Sequence, residues 1–224
     1  IRRATHLHID ETKIKIQGTT YWLWIFRSEK NIFFVIHKKR NKTVLDEILG
    51  YNYRGIIICD GLSAYEEYTQ FLQRCWAHIL RETKEMAEKY DDAKPMHQWM
   101  KDLFAIVKKV NVKYPPDERK KLYDKCVQEM KWLIEKYSSY KHLAKVVTTI
   151  KNGLDFWFTR IIHPQIEPTN NNGERSLREM VVIKKIIGTL RNENGAEVLA
   201  KMMTLISTWR LNGQNPFYSL KAII

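Results

Sequence analysis

Three acidic residues stand where two strands and a helix would have to deliver them. Asp10 lies in the segment Leu7 to Ile16, Asp60 ends the apolar run Ile56-Ile57-Ile58-Cys59, and Glu174 follows the cap-forming run Thr169-Asn170-Asn171-Asn172. A short all-apolar strand that stops at Asp-Gly is typical of a central parallel strand, and ligand sites of open sheets sit at such carboxyl ends. If the strands of Asp10 and Asp60 are neighbours, both carboxylates meet at one edge of the sheet. Paired carboxylates raise each other's pKa and are costly to bury. A divalent cation removes that cost. Mg²⁺ takes carboxylate oxygens and keeps water for phosphate substrates, and two such ions activate a nucleophile and stabilise a leaving oxygen. Each acid has a plainer role as well. Asp10 could be a bulge residue, Asp60 an Asp-Gly turn former, and Glu174 a first-turn Glu favoured by the helix dipole and paired with Arg178.

The elements that must position these acids can be read in order. Leu7 and Ile9 share one parity, Ile14 and Ile16 the other, which predicts a bulge or bend near Glu11 to Lys13. Gln17-Gly18 reads as a turn. Tyr21 to Phe26 is apolar on both faces, and Ile32 to Ile36 forms a third strand, giving an antiparallel meander. Tyr21, Trp22 and Trp24 are most simply core. Lys42 to Leu49 predicts a short helix with Val44, Leu45 and Ile48 on one side, and Leu72 to Trp76 one more strand. From about 77 to 162 the period is helical. Trp99, Leu103, Ile106 and Val110 make one stripe; Leu122, Cys126, Met130, Leu133 and Tyr137 make another. Pro115-Pro116 separates the two, and Asp117 is placed to cap the second. After a loop from Ile162 to Asn172, a helix should turn Leu177 and Met180 or Val181 inward, with Glu174 on the edge of that face. Beyond Gly188 and a polar loop comes a last long helix, about Ala196 to Leu211, with Leu199, Met203 and Ile206 buried. Asn212-Gly213 ends it and Pro216 starts a tail helix.

Composition narrows the partners. The 224 residues are 44% hydrophobic and include seven Trp, eleven Tyr and eight Phe, which excludes a disordered chain and suits one large domain or a domain with an insertion. Lys and Arg number 38 against 25 Asp and Glu, a net charge of +13. A fold this basic tends to meet polyanions, nucleic acid first and an anionic membrane surface second. No apolar run is long enough to span a membrane and no signal segment opens the chain. Its start at Ile1-Arg2-Arg3, without Met, reads as that of a fragment. Cys59, Cys75 and Cys126 form neither a disulfide framework nor a C-x-x-C pair, so a reducing compartment is expected.

Several further residues carry two readings. Cys75 and His78 form a C-x-x-H, but zinc would need two more ligands, for which Cys59 and Cys126 are not obviously placed. His78 either supports the site or starts a helix. His8 shares the parity of Asp10 and either borders the site or is a plain strand residue. Asn170 and Asn171 cap the helix and could position Glu174. Arg175 and Arg178 suit phosphate contact. Lys184, Lys185 and Arg191 would grip DNA or are simply solvated. Trp76 is either core or a platform for a flipped base.

The run E-P-T-N-N-N-G-E-R-S-L-R, Glu167 to Arg178, closely resembles the signature of the insertion-sequence sixty-six family of transposases. Three more segments fit in order: H-x-D-E-T at His8 to Thr12, C-D-G-x-x-x-Y at Cys59 to Tyr65, and Q-R-C-W-A-H at Gln73 to His78. The C-terminal run from Val182 to Leu220, with N-G-x-N-P at Asn212 to Pro216, is similar too. Asn172-Gly173 departs slightly, standing where the family often has small residues such as Ala. The family's usual N-terminal DNA-binding region has no counterpart before Ile1.

What the resemblance implies is specific. The fold would be α/β, a ribonuclease H-like mixed five-stranded sheet flanked by helices, with a helical insertion between the fifth strand and the catalytic-Glu helix. Residues 1–80 would form the first part of the catalytic core, 81–160 the mainly helical insertion, and 161–224 the Glu helix and the C-terminal helices. Asp10, Asp60 and Glu174 would be the catalytic, metal-holding acids, with two Mg²⁺ or Mn²⁺ ions per site. Arg175, Arg178, Lys184, Lys185 and Arg191 would contact DNA, and His78, Asn170 and Asn171 would support the site. The activity would be that of a DDE transposase: hydrolysis of a phosphodiester at the element end, then attack of the freed 3′ hydroxyl on target DNA. Its partners would be double-stranded DNA and, on DNA, further copies of the chain. Its location would be cytoplasmic, prokaryotic and nucleoid-associated. The competing readings are a ribonuclease H-like nuclease that cuts without joining and a catalytically inactive DNA-binding remnant.

Overall fold

A computed structural model describes residues 1–222. Its strands are β1 (His6–Ile16), β2 (Thr19–Arg27), β3 (Ile32–His37), β4 (Ile56–Cys59) and β5 (Leu72–Arg74). Its helices are α1 (Lys42–Leu49), α2 (Ser63–Tyr68), α3 (Trp76–Lys89), α4 (Lys94–Lys109), α5 (Pro116–Tyr137), α6 (Ala144–Asn152), α7 (Thr159–Ile162), α8 (Asn171–Ile187), α9 (Glu193–Leu211) and α10 (Pro216–Lys221). The strands form one mixed five-stranded sheet in the order β3-β2-β1-β4-β5. This is the ribonuclease H-like arrangement, with helices inserted between β5 and α8. The chain divides into two compact units, one of Ile1–Ile57, Leu62–Gln70 and Asn171–Ile224, the other of Ile58–Gly61 and Phe71–Asn170.

In the first unit β1 and β2 pair without interruption from His8↔Arg27 to Ile16↔Thr19. The bulge expected near Glu11 to Lys13 is therefore absent. The parity conflict has another cause. Residues 6 to 9 are all buried, so the first half of β1 is covered on both faces, while the second half buries only Ile14 and Ile16. Gln17 and Gly18 both take positive φ, 48° and 78°, the backbone a tight two-residue hairpin turn requires.

Each face of the sheet has its own helices. Ile14, Ile16, Leu23 and Ile25 join Leu177 and Met180 of α8 and Ala196, Ala200 and Met203 of α9 in one apolar cluster. On the opposite parity Trp24 meets the Tyr65 ring of α2 edge-on at 6.3 Å, and Val44 and Leu45 of α1 are fully buried. The outer edge of β3 is closed by side chains of α9. Thr204 Oγ1 accepts the Phe34 N–H at 2.9 Å, and Thr208 Oγ1 accepts the Ile32 N–H at 3.1 Å and donates back to its carbonyl. An unpaired strand edge is thereby denied to other chains. Asn192 caps α9, its side chain accepting the Gly195 N–H at 2.7 Å, so α9 begins at Glu193, earlier than the spacing of apolar residues implied. Its buried face is Ala196, Ala200, Met203 and Ser207, with Leu199 and Ile206 only partly covered.

The second unit is helical apart from its strand residues. Its core is built from α3, α4, α5 and α6 around Trp76, Met100, Leu103, Met130 and Leu133. Of the expected α4 stripe, Leu103 and Val110 are buried and Trp99 and Ile106 only partly so. Met96, Met100, Leu103 and Val107 face inward, while Trp99 and Ile106 flank them. Methionine fills such irregular interiors, and a stripe drawn through the Trp and Ile missed it. In α5 the expected Cys126, Met130, Leu133 and Tyr137 are buried. Asp117 does not cap α5, which has Pro115 at the N-cap position and Pro116 at its first residue. Asp117 sits inside the first turn, where its charge complements the helix dipole.

One cation ties the end of this unit together. The Arg160 guanidinium donates to the carbonyls of Val107 at 3.2 Å, Val110 at 3.3 Å, Pro164 at 3.0 Å and Ile166. Its backbone N–H donates to Gln73 Oε1 at 2.8 Å. Arg160→Ala should lower stability by about 3 kcal/mol, because carbonyls that lose a charged donor are left poorly satisfied. Arg160→Lys should recover only part, since an ammonium cannot reproduce the planar fork. Urea unfolding of the three proteins checks both expectations.

Candidate active site

The two acids at the centre of β1 have separate fates. Glu11 points to the α1–α2 side. Its side chain is 1% exposed and both oxygens are engaged. Oε1 accepts from Arg40 Nε at 2.9 Å and Nη2 at 2.7 Å, and Oε2 accepts the Tyr65 hydroxyl at 2.6 Å. Arg40 in turn lies over the Trp22 ring, 4.6 Å from its centroid. Glu11 is thus a buried, neutralised structural acid. Asp10 has the opposite parity and is only half-buried, with Oδ1 accepting the Glu11 N–H at 2.9 Å. Its cross-strand partner is Ile25, in the cluster packed by α8. Asp10 therefore belongs to the sheet face that carries the helix of Glu174.

The first turn of α8 is fastened to that face by Arg27. Its Nη1 donates to the Asn172 carbonyl at 2.9 Å and to Ser176 Oγ at 2.7 Å. Burial and the nearby Arg175 lower the Arg27 pKa from its ordinary value, though an arginine stays charged. Arg27 pairs with His8 in the ladder, and His8, nearly fully buried, shares the Asp10 face. Leu177 and Met180 bury the inner stripe of α8 as expected. Glu174 lies half-buried in the first turn, three residues before Leu177. Further along, Lys184 Nζ donates to Thr12 Oγ1 and to the Lys13 carbonyl, both at 2.8 Å. Burial and then Lys185 lower its pKa. Lys184 thus braces α8 against β1, whereas Arg175, Arg178, Lys185 and Arg191 are exposed.

Asp60 lies in the second unit, directly after β4. Its carbonyl accepts from Arg74 Nη1 at 3.4 Å. A Cβ added to Gly61 would stand 2.5 Å from that same nitrogen, so a larger residue there would make the Arg74 guanidinium shift. Cys75 donates its N–H to the Cys59 carbonyl at 2.8 Å, and Cys75 Sγ accepts the Asn170 N–H at 3.1 Å. Asn170 is buried and Asn171 is the first residue of α8. His78 is half-buried in the first turn of α3. Trp76 is fully buried, its indole N–H donating to the Trp157 carbonyl at 2.6 Å, which makes it a core residue with no face for a base.

Arg27 and Arg74 were not singled out from sequence. Each had a signal: Arg27 is the lone charge ending an apolar strand, and Arg74 stands inside the short β5 where charge is rarely buried. Asp10, Asp60 and Glu174 offer hard carboxylate oxygens, the donor type that suits Mg²⁺ or Mn²⁺. Among the described residues no helix is long and apolar enough to cross a membrane.

Comparison with curated proteins gave no match, and comparison with solved structures gave none. The family model described as Transposase IS66 family matches residues 1–198. That span takes in β1 with Asp10, the β4 end with Asp60, and all of α8 with Glu174, and on it the chain belongs to the IS66 family of transposases.

Proposed function

We propose that this chain is the catalytic region of a DDE transposase that cuts DNA at element ends and joins the 3′ hydroxyl to target DNA. The observation that carries the reading is the sorting of acids on β1. Glu11 is neutralised on one face, and Asp10 is held on the face where Arg27 fastens the first turn of the Glu174 helix. In this reading Asp60 supplies the third carboxylate, and Asp10, Asp60 and Glu174 together hold two Mg²⁺ or Mn²⁺ ions. Those ions, when bound, would lower the pKa of the attacking hydroxyl or water and offset charge on the leaving oxygen. The three carboxylates orient the ions. Arg27 and Lys184 fix the helix that carries Glu174, and His78, Asn170 and Asn171 support its start. Arg175, Arg178, Lys185 and Arg191 meet DNA phosphates, with Lys184 beside them. These contacts position the duplex without selecting sequence. Further copies of the chain assemble on DNA to bring two ends together.

Clustered carboxylates repel when no cation is present. Added Mg²⁺ or Mn²⁺ should therefore raise the melting temperature by mass action, and Asp60→Asn should blunt that rise. A melting temperature indifferent to either ion would count against a metal site. Joining is tested with a pre-cleaved element end offered together with target DNA. Strand-transfer product supports the transposase, and cutting without product leaves a nuclease.

A further inference from the structure

A cavity at the start of β1 plays no part in the catalytic reading. It measures ≈ 250 Å³, and Arg3, Thr5, His6, Glu29 and Lys30 are among the residues that line it. Sites for drug-sized ligands run to about 300–1,000 Å³, so this one suits a single small group. Both of its walls are pinned. On one side Arg2 donates from Nε to the Ile48 carbonyl at 2.7 Å and from Nη2 to the Glu47 carbonyl at 2.9 Å, and the Ala4 N–H donates to the Ile1 carbonyl at 2.9 Å. On the other, the Ser28 N–H donates to the Asn31 carbonyl at 2.8 Å, the Asn31 N–H to Ser28 Oγ at 3.0 Å, and Asn212 Nδ2 to the Lys30 carbonyl at 2.8 Å. These bonds fix the backbone that carries Arg3 and Lys30 and use neither charged group. Among the described residues the two cations have no ion pair and their side chains no hydrogen bond.

His6 lines the same space and is only 8% exposed. Its Nδ1 lies 3.3 Å from Thr5 Oγ1, and the His8 ring stands edge-on to it, centroids 6.3 Å apart. With Nδ1 accepting the Thr5 hydroxyl, Nε2 carries the ring proton, and among the described residues nothing accepts it. A buried donor left open in a polar cavity calls for an acceptor. Two unpaired cations beside it call for an acceptor that is an anion, and a phosphate is one with several acceptor oxygens. Glu29 is the one acid among the lining residues and is exposed. Two cations against one acid leave the lining positive, with Glu29 opposing the anion. His6 has the parity of Asp10 and stands four residues before it, about 13 Å along the strand. A duplex covers that distance in about four base-pair steps.

We propose that this cavity binds one phosphate of DNA, held between Arg3 and Lys30 and accepting the His6 Nε2–H, about four base pairs from the cut. It rests on the DNA-processing reading above for the source of that phosphate. The test is run in EDTA without cleavage, so either reading can fail while the other stands.

The full chain, labelled with ¹⁵N at its seven histidines, is titrated at constant pH with inorganic phosphate, methyl phosphate and dimethyl phosphate. It is then titrated with a short duplex carrying a 5′ phosphate or a 5′ hydroxyl. The His6 ring signal should move and saturate. A shift with both duplexes assigns a backbone phosphate, and a shift with the phosphorylated one alone assigns a strand end; each supports the site. Arg3→Gln should weaken duplex binding about fivefold and lower the salt slope by roughly 0.9, the share of one phosphate. Glu29→Gln should tighten binding about twofold by removing the opposing charge. All three substituted side chains are exposed, and melting curves check that the variants are folded. No His6 shift with any probe overturns the proposal. So does a shift that survives Arg3→Gln combined with Lys30→Gln, or unchanged duplex affinity in that double variant. A shift with the free phosphates but with neither duplex overturns DNA as the ligand. Weaker duplex binding by Glu29→Gln also overturns the proposal, because it gives the cavity to a group that donates to the carboxylate.

Discussion

Asp10→Asn should lower DNA cleavage by on the order of 10³-fold or more while leaving the protein folded, because a carboxylate that works as part of a set is not replaced by its amide. The side chain is half-buried and its known backbone bond, from the Glu11 N–H, can be kept by the amide oxygen of Asn. The change also removes one negative charge from the proposed cluster, so metal-free stability should stay level or rise slightly. DNA affinity should persist, since Arg175, Arg178, Lys185 and Arg191 are untouched. Nicking assays, metal-free melting and an electrophoretic binding assay on the one variant check these expectations together.

One residue further along, Glu11→Ala should do the reverse and cost about 3 kcal/mol of stability. It deletes a carboxylate that takes two bonds from Arg40 and one from Tyr65. Tyr65 is fully buried, so its hydroxyl would be left without this acceptor in an apolar setting. Arg40 is partly exposed and regains water more easily. Glu11→Gln should lose less, because its amide oxygen can still accept one of these bonds. Denaturant midpoints of the two variants give the measurement. The two variants together separate the acid proposed for catalysis from the one that holds the fold.

The β1 segment also shows what was legible in the sequence and what was not. The strands, the α1 helix, the helical change after residue 77 and the inward Leu177–Met180 stripe all follow from periodicity, which reports burial on one face. Periodicity fails where both faces are covered. His6 to Ile9 are all buried, so parity there carried no information, and a bulge was inferred from a strand that is regular. It failed again in α4, where methionines took the inward positions and Trp99 was left at the margin. The start of α5 departs from expectation for a different reason. Pro115-Pro116 already sets the start of the helix, so Asp117 has no cap to make.

For the site, residue types were readable and their partners were not. Asp10, Asp60 and Glu174 stand out because each sits within a motif, Asp10 in mid-strand, Asp60 just past a strand end and Glu174 in the first turn of a helix. The Arg27 clamp on α8 joins residues about 145 positions apart, and the Glu11–Tyr65 bond joins residues 54 apart. No local pattern encodes such pairs, since they exist only once β1, β2 and the helices are packed. Which face each of Asp10 and Glu11 takes is legible only as parity, and parity gains meaning only once each face has a helix packed against it.

Glu174 is proposed to belong to a metal-dependent DNA-cutting site with Asp10 and Asp60. The most direct test is Mn²⁺-dependent nicking of duplex DNA by the intact chain beside the Glu174→Gln protein, with EDTA as the blank. The parent should nick, EDTA should abolish that nicking, and Glu174→Gln should give none above the blank at equal DNA occupancy. Equal Mn²⁺-dependent nicking by the two proteins would contradict the proposal and return Glu174 to the role of a first-turn residue that favours the helix dipole.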